Sequence, residues 1–195
     1  MEDGSDDLTF PICEKFAETH SRVHVSHSTE RLGKGNAIKK GFNESTGEYV
    51  IFIDSDLPVQ LHAFPGLIEG LDEGYSIVIG SRYHPDSKLN RNYYKTLKSR
   101  LYNWLINVAF KTGLSDHQCG FKSLRKKDLD EIINDVQDNK FFFDTELLIK
   151  ARKKGLEIKE IPITWTDTIE RKSNISLREE VEIVLKYIQF TFQRD

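Results

Sequence analysis

Tyr49-Val50-Ile51-Phe52-Ile53-Asp54-Ser55-Asp56 is the stretch that decides the fold. Its apolar run, rich in β-branched residues, reads as a strand buried on both faces. In an open α/β sheet, ligands sit outside the carboxyl ends of the strands, and there two carboxylates stand one residue apart. Alternate residues of an extended chain project the same way, so Asp54 and Asp56 can approach one hard divalent cation. The same pair also suits a strand-to-loop turn in which Asp side chains bond the backbone.

On the N-terminal side of this strand, residues 31–36 form a basic, glycine-bearing loop leading into a helix over about 37–43. Lys34 between Gly33 and Gly35, beside a helix N-terminus, is placed to meet a phosphate; the alternative is a flexible turn with a solvated lysine. Further upstream, residues 1–7 read as a turn and helix start with no strand before them, 8–20 as a helix and 22–26 as a short alternating strand. On the C-terminal side come a helix over 65–72 and a second buried strand over 75–80. Arg82 follows that strand directly, a second charged group at the same sheet edge.

The longest helical pattern covers 91–111. Leu97, Leu101, Trp104, Leu105 and Val108 share one stripe, and Arg91, Lys95, Lys98 and Ser99 fall within an arc of about 100° on another face. Basic charge beside Tyr93, Tyr94 and Tyr102 suits an anionic lipid surface, or else a plain solvent-facing flank. A strand at 121–124, helices at 127–136 and 144–154 with Gly155 as C-cap, an extended stretch over 156–165 and an amphipathic helix opened by the Ser176–Glu179 capping box complete the pattern. Strands alternating with helices imply a layered α/β domain with a mostly parallel sheet.

The 195 residues suit one domain spanning 1–195. With 38% hydrophobic and 30% charged residues the chain is soluble and polar, and a net charge of -3 gives no case for nucleic-acid binding. Cys13 and Cys119 match no metal spacing and read as free thiols of a reducing compartment. No apolar run approaches a membrane span. Asp116-His117-Gln118-Cys119 lacks the partners a zinc site needs. Asp144 and Glu146 are a possible catalytic pair, or residues favoured by a helix dipole; two apart, they do not share a face.

Asp54-Ser55-Asp56, Gly80-Ser81-Arg82-Tyr83, the run from Asp116 to Lys122, Phe143-Asp144-Thr145-Glu146-Leu147-Leu148 and Glu160-Ile161-Pro162-Ile163-Thr164-Trp165 follow one another in a set order and spacing. Together they resemble the dolichyl-phosphate mannose or glucose synthase branch of glycosyltransferase family 2, over essentially the whole chain. The resemblance implies the GT-A fold and inverting transfer of a hexose from GDP-mannose or UDP-glucose to a polyprenyl (dolichyl) phosphate, with Mg²⁺ or Mn²⁺. It implies that Asp54 and Asp56 hold the metal and the donor diphosphate. Arg82 and Arg91, with Ser99, match acceptor-phosphate positions. Gln118 joins the substrate-binding set and Asp116, Asp56 and Arg82 the catalytic one. Ser173-Asn174-Ile175-Ser176 stands where the family often reads Ser-Lys-Val-Ser, with Arg171 and Lys172 available for the missing charge. Pro58 replaces a glutamine that helps bind the metal in many relatives.

Residues 2–7 resemble the family's Asp-Asp-Gly-Ser-x-Asp, with Asp3 as its base-contacting carboxylate. That motif normally follows the second strand, so the expectation is an N-terminally truncated fold whose first nucleotide-binding strands are missing or come from a partner chain. Catalysis is then expected at the cytoplasmic face of a membrane. Two rivals stand beside this reading. One is a soluble transferase acting on a saccharide hydroxyl, with Asp116 or Asp144 as base; the other is a non-catalytic remnant or binding module.

Overall fold

The computed structural model describes residues 1–140, 142–167 and Leu185. Its centre is a four-stranded sheet of order β3-β6-β4-β7, built from β3 (Tyr49–Ile53), β4 (Ile77–Ser81), β6 (Phe121–Arg125) and β7 (Ile158–Pro162). β4 and β7 pair in parallel, and β6 runs antiparallel to both β3 and β4. β3, β4 and β7 therefore share one direction, with a single reversed strand between the first two. Two parallel two-stranded ribbons flank this sheet: β1 (Glu2–Asp3) with β2 (His27–Ser28), and β5 (Lys88–Asn90) with β8 (Thr164–Thr166).

Side chains alternate across the sheet as the pleat requires. Val50, Phe52, Ile77, Ile79 and Leu124 face a core closed by helices α2 (Lys34–Glu44), α5 (Lys126–Ile133) and α6 (Phe143–Lys153). Tyr49, Ile51, Ile53, Val78 and Phe121 face the other side, under α3 (Phe64–Asp72) and Trp165. A third cluster joins Tyr102 and Ile106 of α4 (Tyr93–Phe110) to Phe142 and Ile149. α1 (Thr9–Thr19) buries none of its residues. No helix among the described residues is long and apolar enough to cross a membrane.

Several expectations shift. Residues 2–3 are a strand rather than a turn, and the strand expected at 22–26 lies at 27–28. α2 begins at Lys34, so Lys34, Gly35 and Asn36 form its first turn instead of a loop. β3 is only half-buried along its length, because among the described residues it is the last strand of the sheet on that side; β4, flanked by β6 and β7, is buried throughout. On α4, four residues of the apolar stripe, Leu97, Leu101, Trp104 and Val108, are exposed, whereas Tyr102, grouped with the basic face, is buried together with Ile106. The reason is the third cluster, which draws Tyr102 inward to hydrogen-bond Thr145 at 2.8 Å. The C-terminal helix and Ser173 lie outside the described residues.

Candidate active site

The site lies at the carboxyl end of β3. The strand stops at Ile53, and Leu57 N–H donates to the Asp54 carbonyl at 3.0 Å, so residues 54–57 form a turn. Asp54 and Asp56 thus stand on a turn rather than on extended chain. Leu57 closes it at φ 44°, a left-handed conformation that costs a non-glycine residue about 1–2 kcal/mol. Such strain survives only where surrounding structure imposes it. Pro58 anchors the next step, its carbonyl accepting from Thr166 N–H at 2.9 Å.

Asp54 is pinned from two sides. Its N–H donates to the Gly120 carbonyl at 2.8 Å, and its carboxylate lies so close to Gly120 that a Cβ there would come within 2.1–2.2 Å of it. From the other side Lys34 Nζ reaches Asp54 Oδ1 at 3.2 Å and Asp144 Oδ2 at 2.9 Å. Asp144 Oδ1 in turn receives Lys122 Nζ at 2.7 Å, and that ammonium also donates to the Cys119 carbonyl. Burial alone would raise the Asp144 carboxyl, but the Lys122 and Lys34 charges outweigh it and hold the group below the usual range. Desolvation pulls Lys34 down, and Asp144 with Asp54 pulls it further up. Lys34 was expected to face a phosphate; the structure sets it as a bridge between two carboxylates.

Asp3 fills the anion position beside that helix start. Its two oxygens accept from Leu32 N–H at 2.7 Å and Gly33 N–H at 2.9 Å. Gly35 N–H donates to the Asn139 carbonyl at 2.8 Å, and Gly33 and Gly35 both press on the Asn139 backbone. The glycines serve close packing, not a flexible turn.

Arg82 and Asp116 form a buried fork: Nε to Oδ2 at 2.6 Å, Nη2 to Oδ1 at 2.7 Å, and Arg82 N–H to Oδ2 at 3.0 Å. Burial pushes the Asp116 carboxyl up, but Arg82 more than offsets this and keeps it ionised. Glu160 accepts from the backbone N–H of Ser115 and Asp116 at 2.9 and 3.2 Å, fixing the loop that carries Asp116. His117 bonds Asn103 and Thr112, each at 2.8 Å, and burial holds its pKa down to about 4. Gln118, expected to touch substrate, is part-buried with its side-chain Nε2 unbonded. Glu146 accepts from the N–H groups of Gln137 and Asp138, away from Asp144.

Arg91 and Ser99 are brought together, Nη1 to Oγ at 2.9 Å. Asp167 faces Arg91 Nε at 3.4 Å and Lys95 Nζ at 3.0 Å, so both basic groups turn toward the fold. Tyr83 links the two arginine sites: Arg82 and Arg100 lie over its ring, and its hydroxyl accepts from Arg91 at 3.4 Å. Sequence reasoning assigned no role to Gly120, Lys122 or Glu160. For Lys122 a signal existed, since a lysine inside an apolar strand is rarely buried unless paired.

The donor set fits a divalent cation of the oxygen-ligated kind: two carboxylates, one of them lying against a glycine where a side chain would displace it. No group of three or more His, Cys, Asp or Glu residues is gathered for a metal among the described residues. Two protein carboxylates with substrate phosphates completing the shell is a common arrangement for Mg²⁺.

This α/β fold, with paired carboxylates at a strand end, matches solved glycosyltransferases of the GT-A fold. Glucosyl-3-phosphoglycerate synthase from Mycobacterium tuberculosis, solved with uridine diphosphate, matches this chain with a TM-score of 0.66 over 95% of it and 66% of that enzyme, at 19% identity. The same enzyme has been solved with Mn²⁺ and UDP-glucose. The profile of Glycosyl transferase family 2 matches residues 1–133, and the chain belongs to that family. Glycosyltransferase AglD of Haloferax volcanii is 35% identical over 84% of this chain and 26% of its own length. The dolichyl-phosphate beta-glucosyltransferase of Mus musculus is 28% identical over 86% of this chain and 55% of its own. The chain therefore spans well under two thirds of the length of these relatives.

Proposed function

We propose that this chain, acting as one catalytic domain, transfers a hexose with inversion from a nucleotide sugar to a polyprenyl phosphate at a membrane surface. One observation carries the choice of acceptor. Asp116 and Asp144, the carboxylates that would serve as general base for a hydroxyl acceptor, are both tied into buried ion pairs. A carboxylate kept ionised and fully paired is a poor proton acceptor. A phosphate needs no base, because it is already anionic at neutral pH.

Asp54 and Asp56 would hold Mg²⁺ or Mn²⁺, which supplies charge neutralisation for the departing diphosphate. Lys34 stands beside Asp54 as a fixed cation near the same leaving group. Arg91 and Ser99 provide a guanidinium and a hydroxyl for the acceptor phosphate. Arg82 acts one layer below, orienting Tyr83 and with it Arg91. Among the described strands β3 pairs only with β6, and its other edge suits a further strand, from elsewhere in a longer chain or from a partner, that would wall the nucleotide. The two free thiols suit a reducing, cytoplasmic face.

The test is transfer from UDP-glucose or GDP-mannose, with Mn²⁺, to a short-chain polyprenyl phosphate and to a simple sugar alcohol. Transfer to the phosphate alone is expected, and Asp56→Asn should abolish metal-dependent donor binding by calorimetry without unfolding the chain. Transfer to the alcohol but not the phosphate overturns the proposal.

A further inference from the structure

Arg100 follows Ser99 on α4 and has no evident task in the fold. It is exposed, and among the described residues it pairs with no carboxylate. What holds it is an aromatic ring: its guanidinium carbon lies 5.1 Å from the centre of Tyr83.

Tyr83 is the common point of three arginines. Arg82 and Arg100 both lie over its ring, and Arg91 Nη1 donates to its hydroxyl at 3.4 Å and to Ser99 Oγ at 2.9 Å. The three differ in how far their charge is compensated. Arg82 is neutralised by the buried Asp116. Arg91 shares Asp167 with Lys95, at 3.4 and 3.0 Å, so two cations and one anion leave a single net positive charge there. Arg100 keeps its whole charge. Attraction to an aromatic face also differs in kind from an ion pair, because it holds the guanidinium in place and leaves its N–H donors available to an anion.

A phosphate monoester carries about 1.5–2 negative charges at pH 7 and three strong acceptor oxygens. Arg91 and Ser99 offer it one guanidinium, partly compensated, and one hydroxyl. We infer that Arg100 binds the acceptor phosphate as the second guanidinium of the site, with Tyr83 holding it in place. The inference rests on the reading of Arg91 and Ser99 as the acceptor-phosphate site, and adds to it the group that matches a doubly charged ligand. Residues 87–115 contain no Asp or Glu, so no acid on α4 or its flanks competes for Arg100. Two guanidinium groups also favour a monoester over a phosphodiester or an alcohol, neither of which has a second charge to give.

The probe is geranyl phosphate, a water-soluble prenyl monophosphate, titrated calorimetrically into the 195-residue chain with no donor present. Arg100→Gln should weaken its binding by about tenfold or more, as loss of a hydrogen bond to a charged group does. Arg100→Lys should recover part of that loss. Mn²⁺-dependent binding of UDP-glucose should be unchanged in both variants, and so should their thermal melts. The part played by Tyr83 is read by repeating Arg100→Gln in two backgrounds. Its effect should persist in Tyr83→Phe, which keeps the ring, and be lost in Tyr83→Leu, which removes it. Two results overturn the inference and leave the acceptor site standing: Arg91→Gln weakens geranyl phosphate where Arg100→Gln does not, or Arg100→Gln weakens UDP-glucose as much as geranyl phosphate. Binding that neither Arg91→Gln nor Arg100→Gln diminishes, or no binding by the parent chain, removes the site itself and the inference with it.

Discussion

Asp116 is buried and bonded in a fork to the Arg82 guanidinium. Removing one partner of a buried pair leaves the other charge uncompensated, at a cost of about 3–5 kcal/mol. Asp116→Asn should therefore lower stability by that amount in chemical denaturation, and any loss of activity in it should track unfolding. The two thiols separate by the same logic of burial. Burial pushes the Cys119 thiol up to about 12, and the residue is inaccessible, whereas Cys13 is partly exposed. A thiol reagent at pH 8 should modify Cys13 alone in the native protein and both cysteines in denaturant; mass spectrometry of the labelled peptides reads the outcome.

Between elements, the decisive contact is the crossing of the β3 turn with the start of β6. Gly120 leaves the room in which the Asp54 carboxylate lies, and an added Cβ would have to displace it. Gly120→Ala is expected to weaken metal-dependent donor binding sharply, by calorimetry. Gly41→Ala is the matched control: it lies within α2, with nothing within 4 Å of the added Cβ. There the change should stabilise the protein by about 0.5–1 kcal/mol, as alanine does in a helix interior, and leave donor binding unaltered. α4 shows a second consequence at this scale. Its most apolar stripe on a helical wheel is the one left outside, because the inner face is set by what α6 and Phe142 offer it, namely Thr145 for the Tyr102 hydroxyl.

For the whole molecule, stability against acid should fall in two stages. His117 is buried and neutral in the fold, with a pKa of about 4, whereas unfolded it takes a proton below roughly 6.5. Its contribution is complete above about pH 6.5 and is lost as the pH falls toward 4, by up to about 3 kcal/mol. Asp116 and Asp144, both held below their usual range, contribute stability that disappears only at lower pH, below the ordinary carboxylate pKa of about 3.9. Denaturant melts at pH 7, 5 and 3.5 test this: His117→Gln should start less stable but flatten the first stage and leave the second.

The sequence by itself determined the alternation of strands and helices, the buried run of β4, the capping of α6 at Gly155 and the place of Asp54 and Asp56 at a strand end. Those features follow from local periodicity and from residues whose backbone preferences act over a few positions. Tertiary structure alone decided the rest. Tyr49–Ile53 and Ile77–Ser81 carry much the same apolar pattern, yet one is an edge strand and half-buried while the other is central and buried. Strand order is a long-range choice that no local pattern encodes. Lys34, Lys122, Asp54 and Asp144 come from four separate elements, and their network exists only once β3, β6, α2 and α6 meet. The partner of Asp116 is likewise not written in the sequence; only the packing of its loop beside the end of β4 buries it against Arg82.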